Sequence, residues 1–174
     1  MTGRVGAATE AEPWRVVFVR HGQPRGAEHD PELTTAGHRM VADAAVWAAG
    51  LGWPLARVLH TPTQRTAQTA EAVAVAVGAP CLVVDDEPLS IDAWEQMLDA
   101  QRGRHPFGDR ALPRPALPAL VYVGHHTTLR MLVQQCAAGA VPPINDRAWA
   151  AGLALTRTAG RWGLVRAWPG VCPS

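Results

Sequence analysis

Val16-Val17-Phe18-Val19-Arg20-His21-Gly22 decides how this chain is read. Four apolar, β-prone residues in a row predict a short strand buried on both faces, as strands of parallel sheets are. That strand runs straight into an arginine and a histidine. In open parallel α/β sheets ligands bind just beyond the carboxyl ends of the strands, which gives a guanidinium and an imidazole a reason to stand at such a tip. Gly22 lets the backbone turn away with no Cβ in its path.

Two other stretches have the same shape. Arg57-Val58-Leu59-His60 predicts a second strand, followed by Thr61-Pro62-Thr63-Gln64-Arg65. There Thr61 is expected to cap a helix, with Pro62 at its first position and Gln64 closing a capping box. Leu120-Val121-Tyr122-Val123 predicts a fourth strand, ending in Gly124-His125-His126. In a parallel sheet all three tips lie along one edge. Arg65 then sits in the first turn of its helix, where free N–H groups and the helix dipole favour an anion. Guanidiniums, helix N-termini and imidazoles around one point suit phosphate, whose oxygens Arg meets in bidentate fashion. Carboxylate or sulfate would satisfy the charges but would leave two histidines with little to do.

The remaining elements fit that frame. Thr34 or Thr35 is expected to cap a helix reaching about Gly50, with Met40, Val41, Ala44, Trp47 and Ala48 on its apolar side. The helix of Arg65 continues to Val77 and ends at Gly78; Cys81 to Val84 is the third strand. A shorter helix from Asp92 to about Gln101 turns Trp94, Met97 and Leu98 inward. Thr127 to Ala138 is a last helix, and residues 149–156 and 161–168 are two closing strands around a Gly160 turn. Alternating strands and helices predict a three-layer α/β/α sandwich on a mostly parallel central sheet. Residues 1–13 read as a flexible N-terminus, 14–174 as a single catalytic domain, and 102–118 as a long irregular loop.

Composition narrows the function. With 174 residues, 48% apolar content and a net charge of +1, nothing marks a nucleic-acid or anionic-membrane binder. The sixteen basic residues are all arginine, so a bound anion must be held by Arg, His or backbone N–H, and a lysine nucleophile is excluded. Cys81, Cys136 and Cys172 are too scattered for a disulfide framework or a metal site, which suits a reducing, cytoplasmic setting. Residues 1–13 lack the apolar run of a signal peptide, and no segment is apolar for long enough to span a bilayer.

Arg20-His21-Gly22, the run Thr61-Pro-Thr-Gln-Arg65-Thr-Ala-Gln-Thr69-Ala, and Val123-Gly124-His125 together resemble the histidine phosphatase superfamily, with its phosphoglycerate mutase-like fold. Leu33-Thr34-Thr35-Ala36-Gly37 resembles that family's opening of the first helix. The motifs occur in order over nearly the whole chain. The resemblance implies a metal-independent, cofactor-free phosphatase in which His21 attacks phosphorus and forms a phosphohistidine that water hydrolyses. It further implies that Arg20, Arg65 and His125 hold the phosphoryl oxygens. Physical chemistry agrees with this, because a neutral imidazole is a competent nucleophile near pH 7 and a fixed cationic cage can replace a metal clamp.

Larger relatives place a carboxylic acid after the third strand to protonate the leaving oxygen. Here Asp92 lies nearest that place, just before Trp94-Glu95, with Glu87 second; an N-cap of the short helix is the competing role for Asp92. Gly22, Gln23 and His126 are candidates to line the pocket, and Trp94 is expected near its mouth. His29, His38 and His60 read as ordinary loop and helix residues. The short span between strands three and four leaves room for only a minimal lid, as in the compact bacterial branch that dephosphorylates phosphohistidine in signalling proteins. The expected substrate is a phosphate monoester of a small metabolite or sugar. A phosphoprotein is the alternative, and a non-catalytic phosphate-binding module is the alternative of another class. Oligomeric state is not legible.

Overall fold

The computed structural model describes residues 14–26, 29–102, 119–136, 145 and 148–172. The expectations for residues 1–13 and for the arginine-rich loop through 118 therefore lie largely outside the described residues. Ten elements follow in the order β1 (Trp14–Arg20), α1 (Thr35–Ala49), β2 (Leu55–His60), α2 (Gln64–Val77), β3 (Cys81–Val83), α3 (Ile91–Arg102), β4 (Ala119–Gly124), α4 (His126–Cys136), β5 (Gly152–Thr158) and β6 (Arg161–Trp168).

The strands form one sheet in the order β3-β2-β4-β1-β5-β6. The first four in that order are parallel, with Val19 beside Val123 and Val123 beside His60. β5 joins β1 antiparallel, and β6 closes the sheet as the second arm of a hairpin. The hairpin turn is Ala159-Gly160, both at positive φ (50° and 77°). Two left-handed residues in succession match the right-handed twist of the flanking strands.

Strand alternation sends successive side chains to opposite faces and thereby builds two cores. Val17, Val19, Val58, Val121 and Val123 pack under α1 and α2 with Val41, Ala44, Ala70 and Val73. Phe18, Leu59, Leu120 and Tyr122 pack on the other face with Trp94, Leu98, Leu129 and Leu132. The result is the expected α/β/α sandwich.

The helix starts differ from the sequence reading in two places. Thr34 caps α1 as expected, its hydroxyl accepting from Gly37 N–H at 2.8 Å. For α2 the cap position is Thr63, not Thr61, and its side chain makes no capping bond. The Asp30 carboxylate, from the loop after β1, instead accepts the Gln64 N–H at 2.8 Å. The Thr61 hydroxyl is engaged elsewhere, as described below. At the start of α3 the cap is Ser90, which accepts the Ala93 N–H at 3.1 Å; Asp92 comes two residues too late for that role, inside the first turn, and is exposed.

Candidate active site

The sheet order places the tips of β2, β4 and β1 side by side, with β4 in the middle. Two of the tips keep their turns for a steric reason. A Cβ on Gly22 would lie 2.6 Å from Val41 Cγ2 and 2.7 Å from the Gly37 carbonyl oxygen. A Cβ on Gly124 would lie 2.6 Å from Tyr122 Cε1. Neither position has space for a side chain, so glycine is what lets the first and fourth tips pass so close to α1 and to the aromatic core.

His21 is 5% exposed. Its Nδ1 lies 2.8 Å from the carbonyl oxygen of Gly22. A carbonyl only accepts, so Nδ1 carries the proton and donates it, leaving the lone pair on Nε2. Burial, together with the charges of His125, Arg65 and Arg20, lowers the pKa of this ring from 6.5 to about 3, the bond to Gly22 offsetting part of that. His21 is thus neutral throughout the physiological range. His125 stands against it, ring centroids 5.1 Å apart and nearly perpendicular. Its pKa is also lowered, chiefly by burial, with Glu87 opposing and Arg65 and Arg20 adding to the shift.

Arg20 is buried at the end of β1, its Nη1 donating to the Ala148 carbonyl at 2.7 Å. Its guanidinium lies 4.1 Å from the ring centroid of Trp149, and the same indole stacks at a tilt on His21, centroids 5.4 Å apart. Arg65 is the second residue of α2 and half-buried; its backbone carbonyl accepts from the Thr69 hydroxyl at 2.7 Å, and that hydroxyl accepts the Gly22 N–H at 3.2 Å. The charges of both arginines act on both imidazoles at this edge of the sheet.

Among the carboxylates, Glu87 and, less strongly, Asp30 act on His125. The Oε1 of Glu87 accepts from the hydroxyls of Thr127, at 2.9 Å, and Thr128. The charges acting on His21 and His125 do not include Asp92. Glu95 belongs to the scaffold, accepting from Arg157 Nη2 at 2.8 Å and from Trp162 Nε1 at 2.9 Å.

The remaining candidates separate clearly. Gln23 shapes the loop, its carbonyl accepting the Thr34 N–H at 2.9 Å and its side-chain oxygen the Thr34 hydroxyl at 3.0 Å. His126 opens α4, next to His125. Trp94 corrects the sequence reading. It is 0% exposed and packs on Tyr122 and Trp162 inside the second core, because α3 turns its apolar stripe of Trp94 and Leu98 onto the sheet. The tryptophan at the site is Trp149, which lies just before β5 and reaches Arg20 through pairing with Val171 (N···O 3.0 and 3.1 Å). No local pattern in the sequence signals that. His60 also differs from expectation: it is buried at the β2 tip, its Nδ1 donating to the Thr61 carbonyl at 2.8 Å.

The architecture defines a class, an α/β protein that gathers arginine and histidine at the carboxyl edge of its parallel strands. Residues 16–106 match the histidine phosphatase superfamily (branch 1). The chain belongs to that superfamily and is a phosphatase. Among solved structures, the protein histidine phosphatase SixA in complex with tungstate is similar at 22% identity and TM-score 0.64, over 88% of this chain and 95% of that one. The native mycobacterial glucosyl-3-phosphoglycerate phosphatase is similar at 18% identity and TM-score 0.59, over 92% of this chain and 100% of that one. No curated protein sequence matches the chain. No helix among the described residues is long and apolar enough to cross a membrane.

Proposed function

We propose that this phosphatase hydrolyses a phosphate monoester of a small metabolite or sugar through a covalent phosphohistidine on His21. The observation that carries the reading is the bond from His21 Nδ1 to the Gly22 carbonyl, because it leaves a buried, neutral Nε2 lone pair amid Arg20, Arg65 and His125. The Nε2 lone pair attacks phosphorus as the P–O bond to the leaving group breaks. Arg20, Arg65 and His125 take up the charge on the phosphoryl oxygens, a task in which each preorganised donor matters on the order of 100- to 1000-fold.

An alkoxide leaving group needs a proton. Glu87 is the carboxyl group proposed to supply it. Both threonine hydroxyls bind its Oε1, so Oε2 is the oxygen left for proton delivery. Water, giving a proton back to Glu87, then attacks phosphorus, breaks the P–N bond and releases inorganic phosphate. The similar length and fold of SixA favour a second reading, a phosphohistidine protein as substrate. Its P–N bond leaves without strong acid assistance, so that activity would tolerate loss of Glu87.

The test is labelling with a ³²P aryl phosphate under rapid quench. One phosphoryl group per chain, base-stable and acid-labile and absent from His21→Ala, is expected. Turnover with no label on His21 would overturn the mechanism. Comparing Glu87→Gln on a sugar phosphate and on a phosphohistidine peptide separates the two substrate classes. Loss on the first alone is expected for the monoester enzyme.

A further inference from the structure

Three threonine hydroxyls around the start of α2 bear on the protonation of the second imidazole. Thr61 Oγ1 lies 3.1 Å from His125 Nε2 and 3.1 Å from Thr66 Oγ1. Thr66 Oγ1 is 2.6 Å from the Thr61 carbonyl oxygen and 2.9 Å from that of Thr63. It is also 2.8 Å from Thr63 Oγ1. Thr61 and Thr66 are both buried, so each proton must be used within the protein.

A hydroxyl has one proton to give and two lone pairs to receive with. Carbonyl oxygens only receive, so Thr66 spends its proton on one of the two carbonyls. Its oxygen then acts solely as an acceptor, taking the protons of Thr63 and Thr61. With its proton given to Thr66, Thr61 meets His125 as an acceptor. In that arrangement the nitrogen facing it carries hydrogen. His60 anchors the same peptide from below, through its bond to the Thr61 carbonyl.

We infer that Thr61, backed by Thr66, is a positioning residue that holds the proton of His125 on Nε2. This rests on the reading that both rings serve one phosphoryl group. The two imidazoles are then set to opposite tasks by their neighbours. A backbone carbonyl on Nδ1 makes His21 present a lone pair at Nε2, whereas a threonine oxygen makes His125 present an N–H there. An entering phosphoryl oxygen takes over the N–H that Thr61 holds. The charged groups around His125 are Glu87, Asp30, Arg65 and Arg20.

The experiment is ¹H–¹⁵N long-range correlation spectroscopy of the histidine rings at pH 8, on the full chain and on Thr66→Val and Thr66→Ser. In the parent, His125 is expected as the Nε2–H form and His21 as the Nδ1–H form. Thr66→Val frees the Thr61 proton to point at His125. The expected results are transfer of the His125 proton to Nδ1, no change at His21, and kcat lowered on the order of tenfold, less than for removing a donor outright. Thr66→Ser restores both readouts, which a mere packing role for the methyl group would not do. His125 found as Nδ1–H in the parent, or unchanged in form and rate in Thr66→Val, overturns the inference. Labelling of His21 is scored on the same samples. Its absence from the parent indicts the covalent mechanism, while the ring spectra still decide the role of Thr61.

Discussion

His21 and Arg20 adjoin in the chain, yet their settings have different origins. The orientation of the His21 ring is local, because the carbonyl that holds it belongs to the next residue, although Gly22 itself is required by Val41 and Gly37 of α1. Arg20 is fixed by residues 128 and more positions away, through the Ala148 carbonyl and the Trp149 ring. Arg65 is held less by contacts than by its place in the first turn of α2. Arg65→Ala is therefore expected to fold normally and to lose on the order of 100- to 1000-fold in kcat. Steady-state kinetics on an aryl phosphate check this, and near-parental kcat would remove Arg65 from the cage. Protonation makes a second claim at this scale. A nucleophile whose pKa is lowered to about 3 stays competent in mild acid, so kcat/KM should show no loss near pH 6.5 assignable to His21. A limb at 6.5 that vanishes in no other variant would contradict this.

At the scale of elements, the strands and the first helix were legible because their signals are chain-local. An uninterrupted apolar run means a strand buried on both faces, and Thr34 followed by an apolar stripe means a capped helix against the sheet. The start of α2 was misread for the opposite reason. Thr61 looks like a cap in sequence, but its hydroxyl turns to His125 and the cap bond comes from Asp30, on another loop. Trp94 was misplaced because a large aromatic beside acidic residues reads equally well as pocket wall or core. Helical spacing with Leu98 was the clue that favoured core. Trp94→Ala is accordingly expected to destabilise the fold by about 3–5 kcal/mol, leaving KM of the surviving enzyme within about twofold. Urea unfolding alongside kinetics checks both; a KM effect with little loss of stability would return Trp94 to the pocket. The sequence ranks Asp92 ahead of Glu87 as the acid, and the structure favours the reverse order. The deciding fact is that α4 brings Thr127 and Thr128 to Glu87.

For the molecule as a whole, a buried neutral centre couples folding to acidity. The unfolded chain binds a proton on His21 near pH 6.5, whereas the folded chain does so only near pH 3. The unfolded state thus binds more protons between those values, and stability falls as pH drops through that window. His125, lowered in the same direction, adds to the trend. The urea midpoint should decline from pH 7 to pH 4, and less steeply in His21→Gln. Equal slopes would mean that His21 is not the source. Packing at the far edge of the sheet supplies another prediction. Gly170 has φ 73°, and a Cβ there would lie 2.5 Å from the Trp149 carbonyl oxygen. Gly170→Ala should therefore loosen the Trp149 segment and lower kcat several-fold while leaving the sheet intact, as circular dichroism and kinetics together would show.

The pairing of Trp149 with Val171 has a consequence for biosynthesis. A ribosome that has emitted the chain through the residue after β4 has already delivered Arg20, His21, Arg65 and His125. The indole that backs two of them lacks its bridge to Val171 until the chain has passed β6, so the completed site of a nascent chain arrives late, well after the strands that bear its chemistry.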